Sequence, residues 1–436
     1  MDAVPIIFFI VVLLLLLAGY PVAFTLGGAS IIFGLFTFGL EFFNLLPLRI
    51  WGIMNNYILI AVPLFIFMGV MFEKSGLAED LLETMALLFG KLKGGLAISV
   101  LIVGAMLAAA TGIVGATVVT MGVLSLPTML KRGYNPQDAC GIISASGTLG
   151  QIIPPSIVLV LLGSVLNISV GDLFMAAVIP GFILVALYLG WIIITTFINP
   201  KNVPAMPKED LEIFRSEKKF SKIIGAFIAP IFLIIAVLGS IFAGIASPTE
   251  AAAIGAIGAT LLTIFRKKFS RRTLREVMTQ TTRLTSMAFL ILVGASAFGL
   301  VFRGMGGDRY LTELISGIDP HHFLAIVMLL IFVAGFFIDF IEITFIIVPV
   351  VAPIFVHLGI DLLWVGILIA INLQTSFLTP PFGFALFYLK GVAPPSVKTS
   401  HIYKGILPYV AIQLFALLLI ILFPEIALWF PNFLKQ

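Results

Sequence analysis

Apolar residues run through this chain in long unbroken blocks, punctuated by short polar stretches, with no sustained alternation at a spacing of two. Blocks over 4–18 and on to about 40, then 57–72, 171–198, 223–243, 248–265, 284–302 and 405–423, approach the roughly 20 residues a helix needs to cross a hydrocarbon layer. Short alternating strands, the mark of an outer-membrane barrel, do not occur. The pattern predicts an all-α polytopic membrane protein. Residues 73–93 differ: Leu77, Leu81, Leu82, Met85, Leu88 and Leu92 recur at helical spacing among acids and bases. They predict an amphipathic helix, lying at the interface or connecting spans in the cytoplasm.

Two apolar blocks are too long for one span and are cut by small or polar residues, at TGIVGAT (111–117) within 94–130 and at GFFIDFIEIT (335–344) within 321–357. We read each as a re-entrant hairpin with its tip at membrane depth; two ordinary spans joined by a tight turn are the alternative. Two further blocks, 137–166 and 361–389, carry proline pairs, Pro154-Pro155 in GTLGQIIPPS and Pro380-Pro381 in LQTSFLTPPFG. A proline removes a backbone donor and clashes with the preceding turn, so both blocks are predicted to be broken helices. Irregular backbone in hydrocarbon persists only where protein, water or an ion satisfies it. The pairs lie 226 positions apart (380 − 154), and the same offset places Pro127 on Pro353, Gly133 on Gly359 and Asn135 on Asp361. The chain is therefore expected to consist of a first repeat over 1–198, a linker over 199–222 and a second repeat over 223–436.

Composition narrows the class further. With 61% hydrophobic and 11% charged residues, the chain is far from a soluble domain, which carries about 25% charge. Its net charge of +4 sits mainly in two loops: Lys201, Lys208, Arg215, Lys218, Lys219 and Lys222, then Arg266, Lys267, Lys268, Arg271, Arg272, Arg275 and Arg283. That placement reads as topology and not as a nucleic-acid surface. Both loops are expected in the cytoplasm, with Met1 and Asp2 outside and the first apolar block retained as a span. Five spans per half then give the repeats opposite topology, as in secondary transporters that bind at the repeat interface near the midplane. One cysteine, Cys140, allows no internal disulfide. No GxxxxGK[ST] stretch supplies an ATP motor, and four histidines without close pairing give no metal cluster. An intramembrane enzyme would need an activated nucleophile, and none is evident.

The candidate chemistry lies at the breaks. Asp339 and Glu342 are carboxylates at the second tip, and intramembrane acids are by default functional candidates as cation ligands or coupling groups; solvated acids at an external surface are the alternative. Asn372, Gln374, Thr375, Ser376 and Thr379 crowd the second break, where neutral oxygens can ligate Na⁺ or bond a substrate without the cost of burying a charge. Helix-to-helix hydrogen bonding is their simpler use. Ser144, Ser146, Thr148 and Gln151 occupy the first break, with Gly147 and Gly150 permitting close backbone approach. Ser146, Gln151 and Ser376 are candidate substrate contacts. Glu250 in PTEAAA suits a helix N-terminus. No arginine falls inside a predicted span to anchor an anion.

PTEAAA (248–253), GQIIPPSI (150–157), LPTMLKRGY (126–134), VPLFIFMG (62–69) and TPPFG (379–383) occur over nearly the whole chain. Together they make it resemble the large membrane subunit of tripartite ATP-independent periplasmic (TRAP) transporters. The resemblance implies an inverted-repeat elevator in the bacterial inner membrane that imports a small organic anion, commonly a carboxylate, with Na⁺ as the coupling ion. It also implies a small four-helix membrane subunit and a periplasmic binding protein as partners. A self-sufficient divalent-anion/Na⁺ symporter with similar hairpins is the alternative. Carried over by position, one Na⁺ site would involve Thr111, Gly112, Gly115, Thr117, Gly147, Thr148, Gly150, Ile153 and Pro154. The other would involve Gly335, Asp339, Glu342, Thr344, Asn372, Gln374, Thr375, Thr379 and Gly383. The first tip departs from the serine-rich type SGSS of the family: Ile113 and Val114 offer only backbone there, and Thr111 and Thr117 stand in as side-chain ligands.

Overall fold

A computed structural model describes residues 4–207, 220–315, 317–380 and 383–435. The linker residues Lys208, Arg215, Lys218 and Lys219, and Pro381 of the second proline pair, lie outside the described residues. All regular structure among the described residues is helical. The first half contains α1 (Val4–Leu17), α2 (Val22–Phe38), α3 (Leu46–Met54), α4 (Tyr57–Lys74) and α5 (Leu77–Phe89). It continues with α6 (Gly95–Thr111), α7 (Val114–Lys131), α8 (Pro136–Thr148), α9 (Ile157–Leu166) and α10 (Val170–Ile198). The second half contains α11 (Phe220–Phe242), α12 (Pro248–Phe265), α13 (Arg271–Gly304), α14 (Gly307–Ile315) and α15 (Pro320–Ala334). After these come α16 (Phe340–Ile346), α17 (Val348–His357), α18 (Leu362–Leu378), α19 (Phe384–Val392), α20 (Thr399–Leu422) and α21 (Glu425–Leu434). Six described helices are long and apolar enough to cross a membrane, or seven if α16 and α17, bent by 50° at Ile347, count as one.

Element boundaries recur at the offset of 226. Shifted by that amount, α6 and α7 fall on 321–337 and 340–357, the positions of α15 and of α16 with α17. Likewise α8 and α9 fall on 362–374 and 383–392, the positions of α18 and α19. The turn chemistry recurs too. Asn135 and Asp361 cap α8 and α18, accepting from Gln137 N at 2.9 Å and Leu363 N at 2.7 Å. Two residues before each cap, Gly133 (φ +80°) and Gly359 (φ +70°) take the left-handed conformation that a side chain would strain.

Several expectations need correction. The stretch 266–283 is mostly not a loop: α13 begins at Arg271, so Arg271, Arg272, Arg275 and Arg283 lie on a 34-residue helix. Ser270 starts it by accepting from Thr273 N at 3.0 Å, and the charged turns extend beyond the apolar part of the same helix. Between the apolar blocks that end near 40 and begin at 57 lie a 3-10 turn (Leu40–Leu45) and α3, on which Trp51 is exposed. On α5, Leu77, Leu81, Leu82 and Met85 are buried, whereas Leu88 is exposed, as is Leu92 beyond the helix; the apolar stripe is one turn shorter than its spacing suggests. The start of the linker is strapped to the first hairpin's base, since Gly94 N donates to Val203 O at 2.9 Å and Met206 N to Gly90 O at 2.8 Å.

The bundle has two chemically distinct ends. Lys74 pairs with Glu276 at 3.2 Å and Arg266 pairs with Asp80, joining α4, α5, α12 and α13 at a basic end. From there α13 runs parallel to α2, because Gly294 abuts the Ala23 backbone, Gly34 abuts Val301, and Gly304 abuts Phe38. The turn between α1 and α2 thus faces the basic end, while α3 and the end of α13 form the opposite one. At the start of α12, Ser247 and Glu250 form a reciprocal capping box, the simple structural use expected of Glu250. Ser247→Ala should lower stability by about 1 kcal/mol, read as a lower melting temperature of the detergent-solubilised protein.

Candidate functional site

The first tip is a two-residue break between α6 and α7. Gly112 (φ +61°) ends α6 with its N–H on Ala108 O, a conformation that favours glycine. A Cβ there would also lie 3.3 Å from Pro155 O and 3.4 Å from Ile157 N, so the tip rests on the backbone of the first helix break. Thr117 donates to Ile113 O at 3.0 Å, and its hydroxyl lies 2.8 Å from that of Thr111. The pair forms a small cluster of buried oxygens, in a place where the neighbouring Ile113 and Val114 side chains carry none. Gly147 and Gly150 admit the Val118 and Ala108 backbones at 3.1 and 3.0 Å from a would-be Cβ.

The hydroxyls of the first broken helix mostly bond locally: Thr148 to Ala145 O, Ser146 to Ile143 O and Ser156 to Gln151 O. Ser144 Oγ and the Gln151 amide are buried without a hydrogen-bond partner. Ile153 and Pro154 line an apolar cavity with residues of α6, α10 and α11.

At the second tip, Asp339 caps α16, accepting from Phe340 N at 2.6 Å, and Glu342 returns the bond by accepting from Asp339 N at 3.0 Å. Both carboxylates therefore hold the turn. Gly335 packs directly on Ser376, one of the contacts, with Phe340 against Phe377, that join this tip to the second break. Asn372 Nδ2 donates to Met328 O at 2.6 Å, tying the broken helix to the first arm of the hairpin. Thr375, Ser376 and Thr379 donate to carbonyls of their own helix. Thr344 Oγ1 is buried without a partner, Gln374 is directed to the Tyr188 hydroxyl of α10, which also accepts from Gln413 Nε2 at 2.7 Å, and Gly383 re-enters helix after the break. Neutral oxygens with at most one or two carboxylates suit a hard monovalent cation better than a thiolate- or imidazole-loving metal. No group of three His, Cys, Asp or Glu residues that could hold a metal ion occurs among the described residues.

The two tips meet. A cavity of about 120 Å³ is bordered by Gly112 and Gly115 from the first, Asp339 and Phe340 from the second, and Phe377 and Tyr388 from the second broken helix. Val62 and Ile66 of α4 with Leu284 and Met287 of α13 close its other wall. Asp339 also borders a second cavity of about 470 Å³, shared with Glu342 and with Gly19, Tyr20 and Pro21 of the turn that faces the basic end. The candidate substrate contacts Ser146, Gln151 and Ser376 are fully buried and line neither cavity. Tyr388, absent from the sequence-based candidates, does; it presses on Gly115, where a Cβ would lie 3.0 Å from its ring. Only its being a hydroxyl-bearing aromatic within an apolar run marked it.

Two broken helices and two hairpin tips converging on a cavity between membrane helices define a solute transporter. The chain belongs to the family described as tripartite ATP-independent periplasmic transporter, DctM component, whose pattern matches residues 9–426. It is 30% identical, over 98% of its length and 97% of the other's, to a C4-dicarboxylate TRAP transporter large permease protein of Vibrio cholerae. Similarity to the ectoine TRAP large permease of Halomonas elongata is 31% over 95% of this chain and 96% of that one. A sialic acid TRAP large permease of Vibrio cholerae is 28% identical over 96% of both. In fold it resembles the YdaH transporter of Alcanivorax borkumensis, with a TM-score of 0.63 over 97% of this chain and 98% of that one at 15% identity.

Proposed function

We propose that this permease imports a small organic anion, a carboxylate, across the bacterial inner membrane using a Na⁺ gradient. A periplasmic binding protein delivers the anion, and a small membrane subunit braces the permease. The observation that carries this reading is the joint cavity at which both hairpin tips, Asp339 and Tyr388 meet. Names of the relatives, C4-dicarboxylate, sialic acid and isethionate among them, support the substrate class. Na⁺ would be held at the first site by the Thr111 and Thr117 oxygens with tip carbonyls, and at the second by Asp339, Thr344 and carbonyls around Thr379. The second is the stronger, because it has a carboxylate and the buried, unpartnered Thr344 Oγ1.

Transport in this reading is an elevator motion. The hairpins and broken helices move as one block, with α10 and α20, against a scaffold containing α2, α4, α12 and α13. Two side-chain hydrogen bonds cross that boundary, Thr120 of α7 donating to Glu73 of α4 at 3.2 Å and Asn56 donating to Ser164 of α9 at 3.1 Å, beside apolar packing such as Phe65 of α4 edge-on to Phe174 of α10. With the basic end in the cytoplasm by the positive-inside rule, the cavity beside Asp339 opens inward and this is the inward-facing state. The test is uptake into proteoliposomes holding both membrane subunits and supplied with the cognate binding protein. Uptake should collapse when the Na⁺ gradient is removed. Undiminished uptake would refute Na⁺ coupling, and uptake without the binding protein would favour a self-sufficient symporter.

A further inference from the structure

A fourth cavity lies at the end of the bundle opposite the basic one, between α3 and α13 on the scaffold side and α9 and α17 on the mobile side. Its volume of about 450 Å³ is in the range of small-molecule sites. Of the four cavities described, it alone is lined by arginine. Arg49 comes from α3, Arg303 from the last turn of α13 and Asp308 from α14, while Ser164, Asn167 and Ser296 offer neutral hydrogen-bonding groups. Two guanidinia against one carboxylate leave one net positive charge. Burial pushes the Asp308 carboxyl up, with the Arg303 charge pulling the other way, and both residues line the cavity. The Arg303 Nε–H is turned back on Gly299 O at 3.2 Å, and the guanidinium is otherwise exposed.

The charge runs against topology. Basic residues of a membrane protein gather on the cytoplasmic side, here around Arg266 and Arg271, so two arginines converging on a cavity at the other end need a reason of their own. The Asn56 to Ser164 hydrogen bond crosses between the fixed and mobile walls beside it. The cavity therefore changes shape whenever the mobile block moves.

We infer that the cavity framed by Arg49, Arg303 and Ser296 is an outer vestibule that receives the anionic head of the solute, a carboxylate or sulfonate, before it reaches the cavity between the hairpin tips. This rests on the reading of the chain as an importer of organic anions. The guanidinia attract and orient the anion. Asp308 moderates the field so that the anion is not trapped, and the Asn56 to Ser164 contact closes the vestibule from below in the inward-facing state.

The test uses charged thiol reagents, whose outcome is independent of transport. In sealed vesicles containing the full complex, Ser296→Cys is introduced into a Cys140→Ser background. It is exposed from outside to 2-sulfonatoethyl methanethiosulfonate or to its trimethylammonium counterpart. The sulfonate should react at least about tenfold faster relative to free thiol, the low end of electrostatic focusing in a charged cleft. Arg49→Gln with Arg303→Gln should bring the ratio near one, and Asp308→Asn should raise it. Equal rates with both arginines present, or no reaction with either reagent, would overturn the vestibule. A sulfonate preference seen only after permeabilisation would keep the anion site but overturn the inward orientation of the transport cycle.

Discussion

Replacing Asp339 by Asn should raise the half-saturating Na⁺ concentration for uptake by at least about tenfold, equivalent to about 1.4 kcal/mol of lost cation binding, while leaving the complex assembled. The substitution separates two roles of one carboxylate. As the cap of α16, Asp339 accepts from Phe340 N at 2.6 Å, and Asn keeps an oxygen there and caps about as well. Only the charge is removed. Asp339→Ala loses both, and should add roughly 1 kcal/mol of destabilisation at the tip to the same Na⁺ defect. Glu342→Gln should be milder than either: an amide oxygen can still accept from Asp339 N, and Glu342 lies outside the small joint cavity. Wild-type Na⁺ dependence in Asp339→Asn would reduce this residue to a cap and leave the small joint cavity without an acid that serves Na⁺.

Gly335→Ala should abolish uptake through packing alone. A methyl group there would collide with the Ser376 side chain, with 2.6 Å to its Cβ, and Ile331 O stands 3.3 Å away on another side. The tip must then lift off the break. Overpacking of this kind costs about 1–3 kcal/mol and here falls on one of the contacts that assemble the second ion site. Ser376→Gly removes the obstructing atoms at the expense of about 1 kcal/mol of helix propensity. The double variant Gly335→Ala, Ser376→Gly should regain a measurable part of the uptake lost in the first, a coupling expected only of residues in direct contact. Near-normal uptake in Gly335→Ala would mean that the tip and the break need not touch for transport.

Proline pairs, caps and turn glycines made much of the architecture legible in the sequence. Pro154 breaks a helix whichever neighbours surround it, and Asn135 and Asp361 cap α8 and α18 through local bonds that need no tertiary partner. The second tip was equally visible, because Asp339 and Glu342 stand out in an apolar run. Less legible was which side of a helix faces the cavity. Ser146, Gln151 and Ser376 satisfy every local criterion for a ligand, yet helix packing turns all three into the core. Tyr388 reaches the cavity because α7 delivers Gly115 against its ring, a contact between residues far apart in the chain that no local pattern encodes. The extent of α13 was missed for a different reason: charged turns continue an apolar helix beyond the hydrocarbon, and hydropathy alone marks their start as its end.

We propose that binding of Na⁺ takes place where hairpin tips meet helix breaks. Its most direct measurement is amide hydrogen exchange of the purified complex in NaCl against KCl at equal ionic strength, followed at 111–117 with 147–156 and at 335–344 with 372–383. Na⁺ should slow exchange in both pairs of segments by at least about tenfold, the effect of a cation at roughly ten times its dissociation constant on a locally opening site. Asp339→Asn should erase the effect at the second pair alone. Identical exchange in the two salts at all four segments would contradict the account.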